Sequence, residues 1–233
     1  MTISIIPVKG IPEAEPGDDV AGLLIGGLAE SRLEPADGDV LVVTHKLVSK
    51  AEGRIEDIGD DPEARLRLIE REASAVLRRR DELVITETHH GFVCANAGVD
   101  KSNVRPGSAV LLPVAPDRSA RRIRARLRQV FGVTIGVIIT DTFGRAWRHG
   151  LTDVAIGVAG IPAVVDYRGT MDTHGNTLEV TEVALADELA AAADLVMGKA
   201  KGIPAALIRG VEYPPGEGSS ADLVRSPGQD MFR

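Results

Sequence analysis

The sequence is poor in three things that often reveal a function: cysteine, aromatic side chains and an excess of positive charge. Because Cys94 is the only cysteine, no disulfide can form within the chain, which fits a reducing compartment. Aromatic residues make up 3% of the chain, so its core must consist of Val, Ile, Leu and Ala. The formal net charge of -7 at pH 7 argues against binding of nucleic acid or membranes through bulk charge.

Long apolar runs and two common nucleotide-binding motifs are missing as well. No apolar run is long enough to span a bilayer, and the first residues lack the features of a signal peptide. We therefore expect a cytoplasmic protein with no membrane and no nucleic-acid partner. Neither the Walker P-loop nor the G-x-G-x-x-G fingerprint occurs, so a nucleotide would have to bind by another route.

What is present is an ordinary globular composition with mixed strand and helix patterns. The chain has 233 residues, 44% hydrophobic and 26% charged, which is long enough for one large domain or two small ones. No clear boundary divides it, so we expect a single domain over residues 1–233. Short apolar runs predict strands at Ile3–Val8, Val40–Thr44, Leu83–Thr86, Ala109–Leu112, Val133–Ile139 and Ala205–Ile208. Strands and helices mix without strict βαβ alternation, so we predict an α+β fold of mixed sheets with packed helices.

Apolar residues at helical spacing and helix-start signals predict the helices. They run from Gly17 through Leu28, from Asp61 through Leu77, over Asp117–Val130 and, after a short strand, over the later part of Leu178–Gly198. The third of them carries six arginines, interpreted as a solvated face, beside an apolar stripe of Ile123, Leu127 and Val130. His89–Asn103 and the tail from Pro214 are predicted to be loops.

The most informative segment is Ile138–Gly150, with the sequence I-I-T-D-T-F-G-R-A-W-R-H-G. We predict that a buried strand ends here and delivers polar side chains to its carboxyl edge, where ligands often bind. Asp141 and Thr142 supply the oxygen ligands that hard divalent metals prefer. Arg145 and Arg148 are suited to holding phosphate or carboxylate groups. Taken alone, these residues also fit a polar strand end with surface or interface arginines.

Polar residues in two other segments fit the same chemistry. Lys46 and Lys50 follow the predicted strand Val40–Thr44, where a lysine is either solvated or a phosphate ligand. Asp100 and Asn103 either form an Asx-turn or supply a second metal carboxylate and a ligand contact. Each signal is weak alone, but together they predict a phosphate-handling enzyme that uses Mg²⁺ or Mn²⁺.

Three residues with reactive side chains, His89, His90 and Cys94, are not predicted to form a zinc site or a nucleophile. His89 and His90 are adjacent, so their side chains are expected to point apart. One of them can bind substrate, but no third nitrogen or sulfur ligand is spaced for a zinc site. Cys94 is interpreted as a small buried residue, because no helix N-terminus or flanking base is evident beside it.

Five longer motifs follow one another along nearly the whole chain. They are K-G-I-P (Lys9–Pro12), V-V-T-H-K-L-V-S-K-A-E-G-R (Val42–Arg54), A-G-V-D-K-S-N-V (Ala97–Val104), I-T-D-T-F-G-R-A-W-R-H-G (Ile139–Gly150) and T-E-V-A-L-A-D-E-L-A-A-A-A-D-L-V-M-G-K (Thr181–Lys199). In this order they resemble the coenzyme F-420 γ-glutamyl ligase family. Several long motifs in the correct order are more specific than any short pattern in the chain.

The resemblance implies a ligase that adds L-glutamate to a deazaflavin coenzyme precursor, using GTP and releasing GDP and phosphate. Family members use Mg²⁺ or Mn²⁺, with a pair of ions expected, and potassium also favours activity. Their fold is an unusual α+β arrangement that forms an intertwined homodimer. Some relatives carry an added C-terminal flavin-binding domain, which we do not expect after Arg233.

The resemblance also implies roles for individual residues. The metal ligands are matched by Asp100, Asp141 and Thr142. The predicted catalytic residues are Asp100, Asp141 and Lys50. Nucleotide-contacting positions are matched by Ile11, Pro12, Glu13, Ala14, His45, Lys50, Asn103, Met197, Gly198, Lys199, Ala200, Lys201, Gly202, Ile203 and Pro204. We further predict that Arg145 and Arg148 hold the anionic substrate tail or the incoming glutamate.

Two positions depart from the family pattern. His45 stands where relatives commonly have Ser or another small polar residue, and Lys199 stands where the archaeal type has a metal-associated Gln. A protonated lysine cannot ligate a metal, which leaves Lys199 as a candidate to neutralise phosphate directly. Glu182 and Asp187 are candidates for the base that accepts a proton from the glutamate amine.

Two other functions stay open at this point. A metal-dependent nucleotide phosphohydrolase or phosphotransferase would turn over GTP without any need for glutamate. A nucleotide- or coenzyme-binding module would bind without turnover. The presence of Asp100, Asp141 and Lys50 argues against the binding module.

Overall fold

The computed structural model describes residues 2–59 and 61–231, and its mixed sheets and helices confirm the predicted α+β class. The helices are α1 (Val20–Glu30), α2 (His45–Ala51), α3 (Pro62–Glu72), α4 (Pro116–Phe131) and α5 (Leu185–Met197). The strands are β1 (Ser4–Val8), β2 (Val40–Thr44), β3 (Ile55–Asp57), β4 (Ala73–Arg80), β5 (Leu83–Thr88), β6 (Val93–Ala95), β7 (Ser108–Val110), β8 (Gly136–Arg145), β9 (Arg148–Ala159), β10 (Val165–Asp166), β11 (Glu182–Val183) and β12 (Ala205–Arg209). Across these described ranges, no helix combines the length and the apolar character needed to cross a membrane.

A five-stranded sheet in the order β1-β12-β2-β8-β9 lies at the centre of the described residues. Strands β2 and β8 are parallel, and the other neighbours in this sheet are antiparallel. Side chains of β2 alternate, so Leu41 and Val43 join an apolar cluster with α1, α2 and α4. Val40 and Val42 join a second cluster with α5 on the opposite face. The sheet is therefore covered by helices on both faces.

The strand directions bring several segments of the chain to one edge of this sheet. Thr44 at the end of β2 lies beside Thr140 of β8, because these two strands run parallel. Val8 at the end of β1 pairs with Ala205 at the start of β12. The backbone N–H of Thr44 donates to the carbonyl oxygen of Pro204 at 2.8 Å. The segments after β1 and β2 and before β12 therefore meet at the same place.

Most predicted strands and two helix starts are confirmed. The predicted strands near the N-terminus, at 40–44, 83–86, 109–112 and 205–208, correspond to β1, β2, β5, β7 and β12. The Asp19 carboxylate accepts the N–H of Ala21 at 3.1 Å at the start of α1. The Asp61 carboxylate accepts the N–H of Glu63 at 2.9 Å, and a proline lies in the first turn of α3.

The helix predicted from Asp61 through Leu77 is too long. It ends at Glu72, and the next eight residues form β4. This strand pairs with β5, and β6 completes a three-stranded sheet. The apolar residues of this segment fit helical spacing. Pairing with β5 nevertheless satisfies their backbone hydrogen bonds as a strand, and such pairing cannot be read from local spacing.

The prediction that His89–Asn103 is a loop is wrong for its middle part. Residues 93–95 form β6, and Asn96–Gly98 forms a 3₁₀ turn. Cys94 and Ala97 are buried, and burial raises the pKa of the Cys94 thiol to about 12. This confirms Cys94 as a small buried residue. The polar residues of the segment lie in its turns. They raise its average polarity, which hid the short buried stretch around Cys94 and Ala97 from the sequence pattern.

Two smaller predictions are partly wrong. In α4, Ile123 and Leu127 are buried, but Val130 is 46% exposed because it lies near the end of the helix. The segment Leu178–Gly198 contains only the two-residue strand β11 before α5. The tail from Pro214 is a loop apart from two short 3₁₀ turns.

The strand expected to end at Thr140–Thr142 continues instead. Strand β8 passes through these residues and turns back into β9, a strand that was not predicted from the sequence. The hairpin reaches past the edge at which β2 ends, so β8 finds its hydrogen-bond partner in β9. In this register Thr142 lies opposite Asp153.

Candidate functional site

A cavity of about 590 Å³ opens at the edge where β2 ends and the β8–β9 hairpin continues. It is lined by most of the residues singled out from the sequence, namely Ile11, Pro12, Glu13, Ala14, His45, Lys46, Lys50, Asp100, Asn103, Asp141, Thr142, Met197, Gly198, Lys199, Gly202, Ile203 and Pro204. Its volume lies in the usual range for small-molecule sites.

One side of the cavity, the hairpin wall, consists of Asp141, Thr142 and Asp153. The Thr142 hydroxyl donates to Asp153 Oδ1 at 2.7 Å, and the Thr140 hydroxyl donates to Asp153 Oδ2 at 3.1 Å. The backbone N–H of Thr142 donates to Asp141 Oδ1 at 2.7 Å. The Asp153 side chain is only 4% exposed, so its charge depends on these donors for stabilisation.

His45, the first residue of α2, packs against Asp141 with its side chain 2% exposed. Its Nε2 lies 3.2 Å from Asp141 Oδ1, and its Nδ1 lies 3.3 Å from Ser49 Oγ. The Nε2 contact is close but poorly aligned, so this nitrogen has no hydrogen-bond partner among the described residues. A buried polar nitrogen without a partner needs an explanation, and a group bound beside it in the cavity would supply one.

A second side, the loop wall, consists of Asp100, Ser102 and Asn103. The backbone N–H of Ser102 donates to Asp100 Oδ1 at 2.8 Å, which forms the Asx-turn that was one of the two alternatives for this segment. Asp100 Oδ2 lies 2.7 Å from Lys46 Nζ, and the Asp100 side chain is 40% exposed. Burial alone would raise the pKa of Asp100, but hydrogen bonds from Lys46 and Ser102 outweigh it and lower that pKa.

Lys50 is a buried cation that joins two of the predicted nucleotide-contacting segments. Its side chain is 7% exposed and contacts the carboxylate of Glu13. Its Nζ also donates to the carbonyl oxygen of Asn103 at 2.7 Å. The Glu13 side chain is mostly exposed, so a phosphate group can replace its carboxylate as the partner of Lys50.

Lys199, in the loop after α5, places its ammonium among three oxygens. The Nζ atom lies 2.5 Å from Asp153 Oδ1, 2.8 Å from Asp194 Oδ1 and 2.8 Å from Thr142 Oγ1. Burial alone would lower the pKa of Lys199, but hydrogen bonds to the two carboxylates outweigh it and raise that pKa. Lys199 is therefore a fixed positive charge on the hairpin wall.

Four of the predicted site residues do not line the cavity. Arg145 and Arg148 are paired at the tip of the β8–β9 hairpin, where Arg145 Nη2 donates to the carbonyl oxygen of His149 at 2.7 Å. Ala200 and Lys201 belong to the late loop but are exposed outside the lining. Strand β8 continues past Thr142 to Arg145, so the hairpin places both arginines beyond the cavity.

The two adjacent histidines point to different partners, as expected. His89 Nε2 lies 3.0 Å from the carbonyl oxygen of Arg71, and His90 Nε2 lies 2.9 Å from that of Pro113. Neither side chain lines the cavity, so the structure gives no support for substrate binding by either of them.

The two candidate bases also lie away from the cavity lining. Glu182 Oε1 is 3.2 Å from a guanidinium nitrogen of Arg168. Asp187 accepts the backbone N–H of Ala155 at 2.8 Å, and burial, partly offset by this bond, raises the pKa of Asp187. Both carboxylates therefore have structural partners elsewhere.

Several lining residues were not predicted from the sequence, namely Thr44, Leu47, Ser102, Leu151, Asp153 and Asp194. Asp153 matters most, because it is the buried partner of Thr142 and Lys199. A carboxylate at the start of the largely apolar segment Leu151–Ala159 was the available signal. Asp194 was detectable as the residue one helical turn before Met197 on the same helix face.

The donor chemistry of the two walls fits a hard divalent cation. Asp100, Asp141 and Thr142 present carboxylate and hydroxyl oxygens to one cavity. In residues 2–59 and 61–231, no three His, Cys, Asp or Glu side chains form a group that could hold a metal ion. Mg²⁺ is commonly held by one or two carboxylates together with substrate phosphates, which these residues can provide with a bound nucleotide.

Comparison with known proteins shows which family of proteins the chain resembles. A family model described as F420-0:Gamma-glutamyl ligase matches residues 10–210. The chain is similar to the coenzyme F420:L-glutamate ligase of Methanopyrus kandleri, with 45% identity over 253 residues, covering 100% of this chain and 98% of that protein. The ligase of the same name from Methanothermobacter thermautotrophicus is 45% identical over 254 residues, covering 100% of both chains. That from Archaeoglobus fulgidus is 41% identical over 248 residues, covering 100% of this chain and 97% of that protein.

Proposed function

Because the chain belongs to the F420-0:gamma-glutamyl ligase family, we propose that it adds L-glutamate to the deazaflavin coenzyme precursor, using GTP and releasing GDP and phosphate. The observation that carries the proposal is the meeting of Lys50, Asp100, Asp141 and Thr142 in one cavity. These residues come from three separate segments of the chain, and a structural ion pair alone would not need all of them at one opening. The names of the relatives support the choice of coenzyme and amino acid.

The proposed chemistry solves a general problem, because joining a carboxylate to an amine in water requires an activated carboxyl group. An oxygen of the coenzyme's terminal carboxylate attacks the γ-phosphorus of GTP, and GDP leaves. The glutamate nitrogen then attacks the carbonyl carbon of the resulting acyl phosphate and loses a proton. Phosphate leaves with one oxygen of the original carboxylate. Repetition on the new terminal carboxylate would lengthen a γ-glutamyl tail.

The lysines of the cavity supply the positive charge for these anions. In our proposal Lys50 exchanges Glu13 for a phosphate oxygen of GTP, with the Ile11–Ala14 segment and the late loop Met197–Pro204 beside the nucleotide. Lys50 is suited to this role because it is buried and its carboxylate partner is solvated. A charge held in a site that excludes water stabilises phosphate more than an exposed charge does.

The metal in this proposal would be held by Asp100, Asp141 and Thr142. When bound, Mg²⁺ or Mn²⁺ offsets the charge that develops on the phosphate oxygens. Asp141 is oriented by the N–H of Thr142 and backed by the His45 ring. Asp100 has to exchange the Lys46 ammonium for the cation, which its 40% exposure permits.

We also propose that two copies form a homodimer, as the resemblance implies, and that the enzyme works in the cytoplasm. The hairpin tip supports the dimer, because Trp147 is 82% exposed and Leu151 is 69% exposed there. Light scattering on the purified protein checks this directly. A dimer has twice the 24.6 kDa mass of one chain, and a mass of 24.6 kDa at working concentration contradicts the proposal.

The experiment that tests the function is mass spectrometry of the glutamate-free coenzyme after incubation with protein, L-glutamate, GTP and Mn²⁺. We expect products heavier by whole glutamate units, and only when GTP, glutamate and metal are all present. Replacing GTP with ATP tests the choice of nucleotide. GTP loss without a heavier product would favour a phosphohydrolase, and no change in either compound would favour a binding module.

A labelled substrate tests the acyl phosphate. If both oxygens of the coenzyme's terminal carboxylate are ¹⁸O, the phosphate released when the first glutamate is added should contain one ¹⁸O atom. Phosphate from any later addition should contain none, because the carboxylate activated then comes from unlabelled glutamate. Unlabelled phosphate from a first addition that still forms the product would exclude the proposed intermediate.

A further inference from the structure

Three oxygens on the hairpin side of the cavity form what we call the oxygen cage, provided by Thr142, Asp153 and Asp194. They come from the β8–β9 hairpin and from α5, two parts of the chain that the tertiary fold brings together. All three lie within 2.8 Å of the Lys199 ammonium nitrogen. Two carboxylates and a hydroxyl around one point are ligands that suit a cation.

The two carboxylates of the oxygen cage need a positive charge between them. Both lie within 2.8 Å of one nitrogen, and Asp153 is only 4% exposed, so water screens their mutual repulsion poorly. A single ammonium leaves the cage with an excess of negative charge. The Lys199 side chain as a whole is 54% exposed, so its stem lies in solvent while its head is held by the cage.

We propose that the oxygen cage is a cation site that the chain fills with its own Lys199 ammonium, in place of a divalent ion. The ammonium fixes the Thr142 hydroxyl, which donates to Asp153 and accepts from Lys199. Lys199 is thereby a positioning residue for the hairpin wall. The role of Lys199 in catalysis rests on the proposed ligase function. The proposal that Lys199 fills the oxygen cage does not depend on that function.

The test counts Mn²⁺ ions on the nucleotide-free protein, using electron paramagnetic resonance to measure the free ion during a titration. Lys199→Met removes the ammonium and should bind one more Mn²⁺ per chain than the wild type does. Adding Asp153→Asn to that variant should abolish the additional ion. Lys9→Met is the matched control, because Lys9 is exposed and outside the cavity, and it should bind as the wild type does.

A thermal measurement gives a second readout on the same proteins. Mn²⁺ should raise the unfolding midpoint of Lys199→Met more than that of the wild type, because the ion replaces the lost charge. Lys199→Gln provides a second variant if the Met variant does not fold. Equal Mn²⁺ counts for the wild type and a folded Lys199 variant would overturn the proposal.

The two proposals fail in different ways. If the wild type transfers no glutamate but the Lys199 variant gains one Mn²⁺, the ligase function is wrong and the oxygen cage stands. If ligation occurs but the Lys199 variant binds no additional Mn²⁺, the ligase function stands. The proposal that Lys199 fills the oxygen cage in place of a metal is then wrong.

Discussion

The hairpin wall and the loop wall present similar chemistry, a carboxylate held by a lysine, on different supports. Asp153 is 4% exposed between paired strands, whereas Asp100 is 40% exposed in an Asx-turn. Lys199 faces two carboxylates, whereas Lys46 faces one carboxylate and two uncharged oxygens of Ser102, at 2.5 and 3.1 Å.

This difference separates a fixed charge arrangement from an exchangeable one. The hairpin wall has more negative charge than its lysine neutralises, and strand pairing keeps its residues in place. The loop wall has one carboxylate paired with one lysine from α2 and is partly solvated, so it can release that lysine at little cost. We infer that the hairpin wall sets the geometry of the reaction and that the loop wall adapts to the ligand.

The largest expected effect is that of Asp141→Asn on ligation. This substitution removes a charge from the wall that we hold responsible for positioning the metal, and kcat should fall by at least about 100-fold. The fold should persist, because the Asn side-chain oxygen can still accept the N–H of Thr142. Product formation by mass spectrometry and circular dichroism check both parts. Near-normal turnover in a folded variant would remove Asp141 from the metal site.

The next effect is on stability and compares the two walls directly. Asp153→Asn should lower the free energy of unfolding by about 1–3 kcal/mol, because it leaves the buried Thr140 hydroxyl, the partly buried Thr142 hydroxyl and the Lys199 ammonium with a poorer acceptor. Asp100→Asn should change it by less than about 1 kcal/mol. Urea unfolding of both variants measures the difference. Equal effects would mean that the walls do not differ as we propose.

The smallest effect concerns pH and the loop wall. The pKa of folded Asp100 is lowered, so its contribution to stability is present above the unfolded value of about 3.9 and is lost as pH falls through the folded value. Lys46→Met should raise the pKa of Asp100 toward its ordinary value. A carboxyl-carbon NMR titration of the wild type and the variant measures this shift. An unchanged pKa would show that Lys46 does not hold this carboxylate in solution.

The parts of the site that the sequence predicted are those carried by short local motifs. Asp141 and Thr142 follow an apolar run, Lys50 lies shortly after β2, and Asp100 lies in a polar turn, so each is recognisable without its partners. The end of β2 is also a guide to the site, because the parallel pair β2 and β8 brings residues 44 and 140 side by side, although β8 itself continues past this point.

The parts that were missed depend on how separate elements pair and pack, which no single local motif shows. Asp153 reaches the cavity only through the register of a hairpin whose second strand was not predicted. The partners of Lys199 lie on β9 and within α5, and no local pattern links them. The same reason explains β4, where pairing with β5 prevailed over helical spacing.

The most direct test of the central claim is a coupled count of GTP consumed and glutamate added, by the wild type and by Asp141→Asn in parallel. Our account predicts one glutamate joined per GTP lost for the wild type, seen as a mass increase of the coenzyme, and almost no product for the variant. GTP loss without a heavier coenzyme, or equal product from both proteins, would contradict it.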